Sequence, residues 1–211
     1  MSIIEQLSSS LNRRDQGPNK ALAKRLMTEK NEAKIAELIQ IIKDPPNQKI
    51  LFDALKVSDL IAEKDPTIQV NVFDLIAMHV KSKSNKVSWM AMSVLSQICG
   101  LHQKKTFQLL PILLHIMDHG GVIQRDKGVV ILLALYKNYT DEVASLLLDQ
   151  ILSCPPNQVG QYSEKWMVII SETDQPRLIS VLEQRLADFD HPSHIKRTTN
   201  NLKKLNKTST T

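Results

Sequence analysis

Residues 109–135 read LLPILLHIMDHGGVIQRDKGVVILLAL, two apolar runs parted by Asp118, His119, Gly120 and Gly121. The second run carries Gly128 with apolar residues at Leu132 and Leu135, offsets of four and seven that put one stripe on one helix face. A small residue in such a stripe lets a second helix approach closely. Moving outward, small residues recur as Ala54, Ala91, Gly128, Ser163 and Thr198, separated by 37, 37, 35 and 35 positions. A period in this range decides an architecture before any local reading does.

The columns around that ruler align without gaps. Four residues before it stand Ile50, Val87, Gln124, Val159 and His194; four after stand Ser58, Leu95, Leu132, Met167 and Leu202. Seven after stand Ile61, Ile98, Leu135, Ile170 and Leu205. Upstream, the position sixteen before holds Leu38, Leu75, Ile112, Leu147 and Leu182, and the position nineteen before holds Ile35, Val72, Leu109, Ala144 and Ile179. Twelve before stand Ile42, His79, Ile116, Ile151 and Leu186. Each of five units is therefore expected to contain a first amphipathic helix, a break and a second amphipathic helix. The breaks fall at residues 44–46, 82–85, 118–121, 154–157 and 190–192, all rich in Pro, Gly, Asp, Asn or Ser. Proline opening a second helix costs nothing, because its missing N–H would lack an intrahelical partner there.

Residues 109–135 resemble a HEAT repeat, with Pro111 inside the first helix, Asp118 at the turn and Arg125 opening the second helix. The aspartate recurs as Asp44 and Asp188, whereas Leu51, Ser88, Gly160 and Ile195 fill the column of the basic residue. The resemblance is thus to HEAT-like and armadillo-like repeats. It implies an all-α, right-handed α–α superhelix of about five helix pairs over residues 32–206, with the second helices lining the concave side. Residues 1–31 stand outside the columns. Leu22 and Leu26 mark one helix within residues 19–30, and Ile3, Ile4, Leu7 and Leu11 mark a shorter one, together expected to cap the open end of the stack. Residues 207–211 have nothing to bury and are expected to form a mobile tail.

Composition agrees with an all-helical chain. Six Gly and nine Pro in 211 residues are few for a protein of many tight turns, and 42% hydrophobic residues suffice for a continuous core. Two cysteines, Cys99 and Cys154, cannot build a disulfide framework, and the N-terminus carries Glu5 where a signal peptide needs an apolar run. The longest apolar stretch, residues 129–136, is far short of the roughly 20 residues of a membrane span. The expected setting is the cytoplasm, where the glycosylation sequons at Asn138 and Asn206 have no meaning.

The net charge of +5 is unevenly spread. Residues 118–190 hold six basic and eleven acidic side chains, while residues 191–211 hold Lys196, Arg197, Lys203, Lys204 and Lys207 with no acid. This basic end reads either as a patch for an acidic partner or nucleic-acid phosphate, or as a solubilising surface on a helix with no neighbour. None of the nine aromatic residues lies in it, and stacking aromatics usually accompany binding to single-stranded nucleic acid.

On the second helices, the face opposite the small-residue stripe carries Phe52, Lys56 and Trp89 in the first units, Val130 and Leu133 in the middle, and Lys165 and Val168 in the fourth. Two readings compete for it. It forms an apolar-centred groove for an amphipathic helix or extended peptide, with Trp89 as anchor, or its middle is simply enclosed by neighbouring helices. His115 and His119 are four apart, but two ligands without a third make no zinc site. No Gly-rich phosphate loop or nucleophile elbow is present. The expected function is a non-enzymatic protein-interaction scaffold without cofactor or metal, a monomer by default. The alternative is an anionic-partner binder acting through Lys196, Arg197, Lys203 and Lys204. A remote third, carried by resemblance to HEAT-like DNA glycosylases, would use Trp89, Asp126, Lys165 and Trp166.

Overall fold

Each of the five breaks separates two helices. In the computed structural model, which describes residues 1–208, the side chains of Gln69, Val70 and Thr208 excepted, eleven α-helices follow one another without an intervening strand. They are α1 (Gly17–Glu29), α2 (Glu32–Lys43), α3 (Gln48–Lys64), α4 (Phe73–Val80), α5 (Asn85–Ile98) and α6 (Gln103–His119), then α7 (Val122–Tyr136), α8 (Thr140–Ser153), α9 (Pro156–Met167), α10 (Gln175–Leu186) and α11 (Pro192–Thr208). The basis of each start is local. Asn47 caps α3 by accepting from the amides of Lys49 and Ile50 at 2.9 and 3.0 Å, and Asn31 caps α2 through Lys34 at 3.1 Å. Such caps are worth about 1 kcal/mol each. Pro156 and Pro192 open α9 and α11, as proline chemistry favours.

The helices pack as consecutive pairs in a repeat-like pattern. Within pairs, α2 lies on α3, α4 on α5, α8 on α9 and α10 on α11; between pairs, α3 meets α5, α9 meets α11 and α8 meets α10. The chain divides into two compact units, Met1–Ile131 and Leu132–Thr211. The first holds α1 to α6 and the opening of α7; the second holds the end of α7 and α8 to α11. In the first unit α1 packs on α3, with Ile3 and Leu7 of the preceding segment fully buried. In the second, α11 runs on to Thr208. The expectation of a mobile tail thus meets helix at residues 207 and 208, and its remainder, residues 209–211, lies outside the described residues.

The small-residue column of the second helices lies where the sequence puts it. Ala54, Ala91, Gly128, Ser163 and Thr198 are all buried. At Gly128 the reason is visible: the Met117 side chain of α6 occupies the space that a Cβ built there would take, so a larger residue would have to displace it. The first-helix columns are fully buried only in α8: Ile35 of α2 and Ile179 and Leu186 of α10 are half-buried, and α4 and α6 are offset. In α4 Ile76 and Val80 are buried, and in α6 Leu110, Leu113 and Met117, each one position after the expected column, while Val72 is buried as expected. His79, expected in the core column, is half-buried and its Nε2 donates to the Ile42 carbonyl at 2.9 Å. These helices carry apolar doublets such as Leu75 with Ile76 and Ile112 with Leu113, and hydrophobicity alone does not choose between the members of a doublet. A second correction concerns α9, which stops at Met167, three residues short of the expected Ile170.

Candidate partner-binding site

The first turns of α3 and α5, with residues 9–16 beside them, enclose a cavity of about 590 Å³ in the first unit. One wall is aromatic: Phe52 and Trp89, both half-buried, meet edge to face with ring centroids 5.5 Å apart and an interplanar angle of 71°. The other walls are basic, carrying Arg13, Arg14, Lys49 and Lys86. Arg13 is paired with Asp15, Nε to Oδ2 at 2.8 Å, and this bond, with the Gly17 amide, holds the Asp15 carboxyl below its ordinary range. Arg14, Lys49 and Lys86 are exposed and have no ion-pair partner among the described residues.

A buried polar network fixes these elements to one another. Asp53, 4% exposed in α3, accepts from the Ser9 amide at 2.7 Å and from Asn19 Nδ2 at 2.8 Å. Asn19, fully buried in α1, accepts in turn from the Ser8 amide at 2.9 Å. Three segments distant in sequence thereby share one set of bonds. Asn12, in the left-handed region with φ of 51°, then turns the chain so that the Arg13 amide donates back to Ser8 at 2.8 Å and the two arginines reach the cavity rim. Asparagine is among the residues that tolerate this conformation best.

The other residues singled out from sequence are placed as follows. Lys56 is half-buried and bonds Asp59 at 2.9 Å, and the other oxygen of Asp59 accepts from Ser93 Oγ at 2.7 Å. The part of this face lying between α3 and α5 is therefore a buried polar seam. Val130 is half-buried in the first unit; Leu133 and Lys165 are half-buried and Val168 is 82% exposed in the second, Val168 standing just beyond the end of α9. Within residues 129–136, five are buried and Val130, Leu133 and Ala134 are half-buried.

No family model matches the chain, and no curated protein matches its sequence.

On α11, Lys196, Lys203 and Lys204 are exposed, whereas Arg197 spends its guanidinium on Glu164, with bonds of 2.8 and 2.5 Å. That guanidinium holds the Glu164 carboxyl below its ordinary value, and Gly160 provides the space: a Cβ there would stand 2.6 Å from Arg197 Cδ. Trp166 is fully buried in the second unit against the Tyr136 ring, so it presents no surface to a nucleobase. Tyr136 donates to Asp174 at 2.5 Å, and burial pushes its hydroxyl pKa up. The His115 and His119 rings lie 4.3 Å apart, with His119 Nδ1 bonded to the His115 carbonyl. No group of three metal-ligating side chains occurs among the described residues. Cys99 and Cys154 are both buried, and burial pushes the Cys99 thiol up to about 12. No described helix is long and apolar enough to cross a membrane.

The basic cluster around Trp89 escaped the sequence reading, although half of it had a signal. Lys49 and Lys86 both stand five before the ruler, in register with Phe52 and Trp89 two before it. Arg13 and Arg14 lie outside the repeats, and only tertiary contact through Asp53 brings them in.

Proposed function

We propose that the chain is a HEAT-like or armadillo-like binding module, without catalytic activity of its own, that docks a segment of a partner protein against Phe52 and Trp89. The observation that carries this reading is the half-buried aromatic pair opening on the cavity of about 590 Å³. A tryptophan at a cavity wall gives a large contact area at small entropic cost, and tryptophan is enriched among binding anchors. The volume falls in the range of roughly 300–1,000 Å³ typical of ligand sites. It suits one anchoring side chain with its flanking backbone. The alternative site on α11 retains Lys196, Lys203 and Lys204 but loses Arg197 to Glu164, which lowers its capacity for an anion.

The test is selection of a displayed library of random peptides on the full chain, followed by binding of the recovered peptides to Trp89→Ala. Trp89 is only half-buried, so the variant should keep its helical circular dichroism. Recovered peptides that the folded variant no longer holds support the reading. Equal binding by wild type and variant, or recovery of no peptide, overturns it.

A further inference from the structure

We propose that the cavity receives an acidic peptide segment. An apolar side chain sits in the corner between Phe52 and Trp89, and carboxylates on either side of it meet Arg14, Lys49 and Lys86. The inference rests on the docking reading above and names the chemistry of the partner.

Charge is the first argument. The cavity rim holds four cations, of which one is spent on Asp15. The carboxylate in the lining, Asp53, is buried and both its oxygens are engaged by Ser9 and Asn19, so it is turned to the protein and not to an occupant. Arg14, Lys49 and Lys86 remain as unpaired positive charge around one cavity. A surface of this kind attracts acidic segments and repels basic ones, which sets partner choice and association rate. The wider unit has the same sign: residues 1–131 hold 18 basic and 13 acidic side chains, whereas residues 132–211 hold nine of each. The whole excess of positive charge therefore lies in the unit that contains the cavity.

The shape of the aromatic wall separates a peptide from a nucleic acid. Single-stranded nucleic acid is held on ring faces along which successive bases stack, beside a basic track that follows the backbone. Here the rings stand at 71° to each other and one is spent edge-on against its neighbour, which makes a corner. Arg13, Arg14, Lys49 and Lys86 line the same cavity as that corner. A corner of two rings fits a branched aliphatic or aromatic side chain, and the surrounding cations fit its acidic neighbours.

The position of the cations also makes the charge removable. Lys49 and Lys86 lie in the first turns of α3 and α5, where an acidic residue is favoured by the helix dipole, so reversing them leaves both helices sound. The experiment selects the same random-peptide library on the full-length wild type, on Lys49→Glu/Lys86→Glu, and on Trp89→Ala, and measures binding of a fluorescent oligothymidylate in parallel. The wild type should enrich peptides with Asp or Glu beside a large apolar residue. The charge-reversed protein should bind those peptides roughly tenfold more weakly or worse, and should itself select basic peptides. If the wild type recovers apolar peptides without acidic enrichment and these depend on Trp89, docking stands and the acidic class falls. Recovery independent of Trp89 removes both. Oligothymidylate binding that requires Lys49 and Lys86, with no peptide recovered, overturns the proposal in favour of nucleic acid.

Discussion

Replacing Asp53 by alanine should detach residues 1–16 from the helices they cover, and its cost can be worked from the structure. The carboxylate accepts from the Ser9 amide at 2.7 Å and from Asn19 Nδ2 at 2.8 Å, with Asp53 4% exposed and Asn19 fully buried. Hydrogen bonds to a charged group contribute about 1.5–3 kcal/mol each, and truncation leaves buried donors without an acceptor. Asn19 Nδ2 retains a second acceptor in Gln16 Oε1 at 2.7 Å, which softens the loss. Alanine also gains about 0.5 kcal/mol of helix propensity over aspartate, and the desolvation of a buried carboxylate is relieved. The net expectation is about 2–4 kcal/mol of destabilisation. Asp53→Asn should lose about half as much, since its amide keeps one acceptor but turns a donor toward a donor. The two tryptophans make the assay specific, because Trp89 belongs to the first unit and Trp166 to the second. With both labelled as 5-fluorotryptophan, fluorine NMR during urea unfolding should move the Trp89 midpoint. A chain lacking residues 1–16 loses the Ser9 partner and keeps Asn19, so the Asp53→Ala effect should be reduced in it and not abolished. Equal midpoints for wild type, Asp53→Ala and Asp53→Asn would refute the reasoning, as would an undiminished effect in the shortened chain.

Gly128→Ala should be destabilising by about 0–2 kcal/mol, the difference between an overpacking cost of about 1–3 and a helix-propensity gain of about 1 kcal/mol. Adding Met117→Ala should make the alanine at 128 neutral or favourable, a sign change read by denaturant midpoints in a double-mutant cycle. Glu164→Gln should cost about 0.2–1 kcal/mol at pH 7, because both partners of the Arg197 pair are more than a third exposed and screened by solvent. The folded carboxyl lies below its ordinary value of 4.5, so the stability it contributes is present above that value and is lost as pH falls through the lowered one. The gap between wild type and Glu164→Gln should therefore hold steady above about pH 5.5 and close toward acid. Thermal unfolding across that range measures it, and a gap that widens in acid contradicts the assignment.

The helix pairs were legible because two independent signals coincide in them. Small residues recur at the centre of each second helix, and Pro, Gly and capping residues recur in each break. The first helices were less legible for a physical reason. In α4 and α6 apolar residues come in adjacent pairs, about 100° apart on the helix, and the buried member is chosen by what packs against it. Ile76 and Leu113 are core while Leu75 and Ile112 are half-buried, a rotation of one residue that leaves the pattern of hydrophobicity almost unchanged. The end of α9 was missed for a related reason: Val168, Ile169 and Ile170 continue an apolar run, yet the helix stops at Met167 and leaves Val168 82% exposed.

The candidate site shows where repeat reading ends. Columns compare a residue with its counterparts in other units, so they register Phe52 with Trp89 and Lys49 with Lys86. Only the first two units carry both pairs; the equivalent positions in the later ones hold Ile123 with Asp126, Gln158 with Gln161, and Ser193 with Lys196. A repeated column that is kept in two adjacent units and dropped in the next three serves the surface those two units share, since core columns persist along the stack. The third component of the site has no column at all. Arg13 and Arg14 arrive from a segment outside the repeats, held by Asp53, a residue whose counterparts are Met90, Lys127, Tyr162 and Arg197. A buried aspartate at a position that tolerates any residue type elsewhere is tied to something only that unit has. Here it is the N-terminal segment, and with it two of the four cations around the Trp89 cavity.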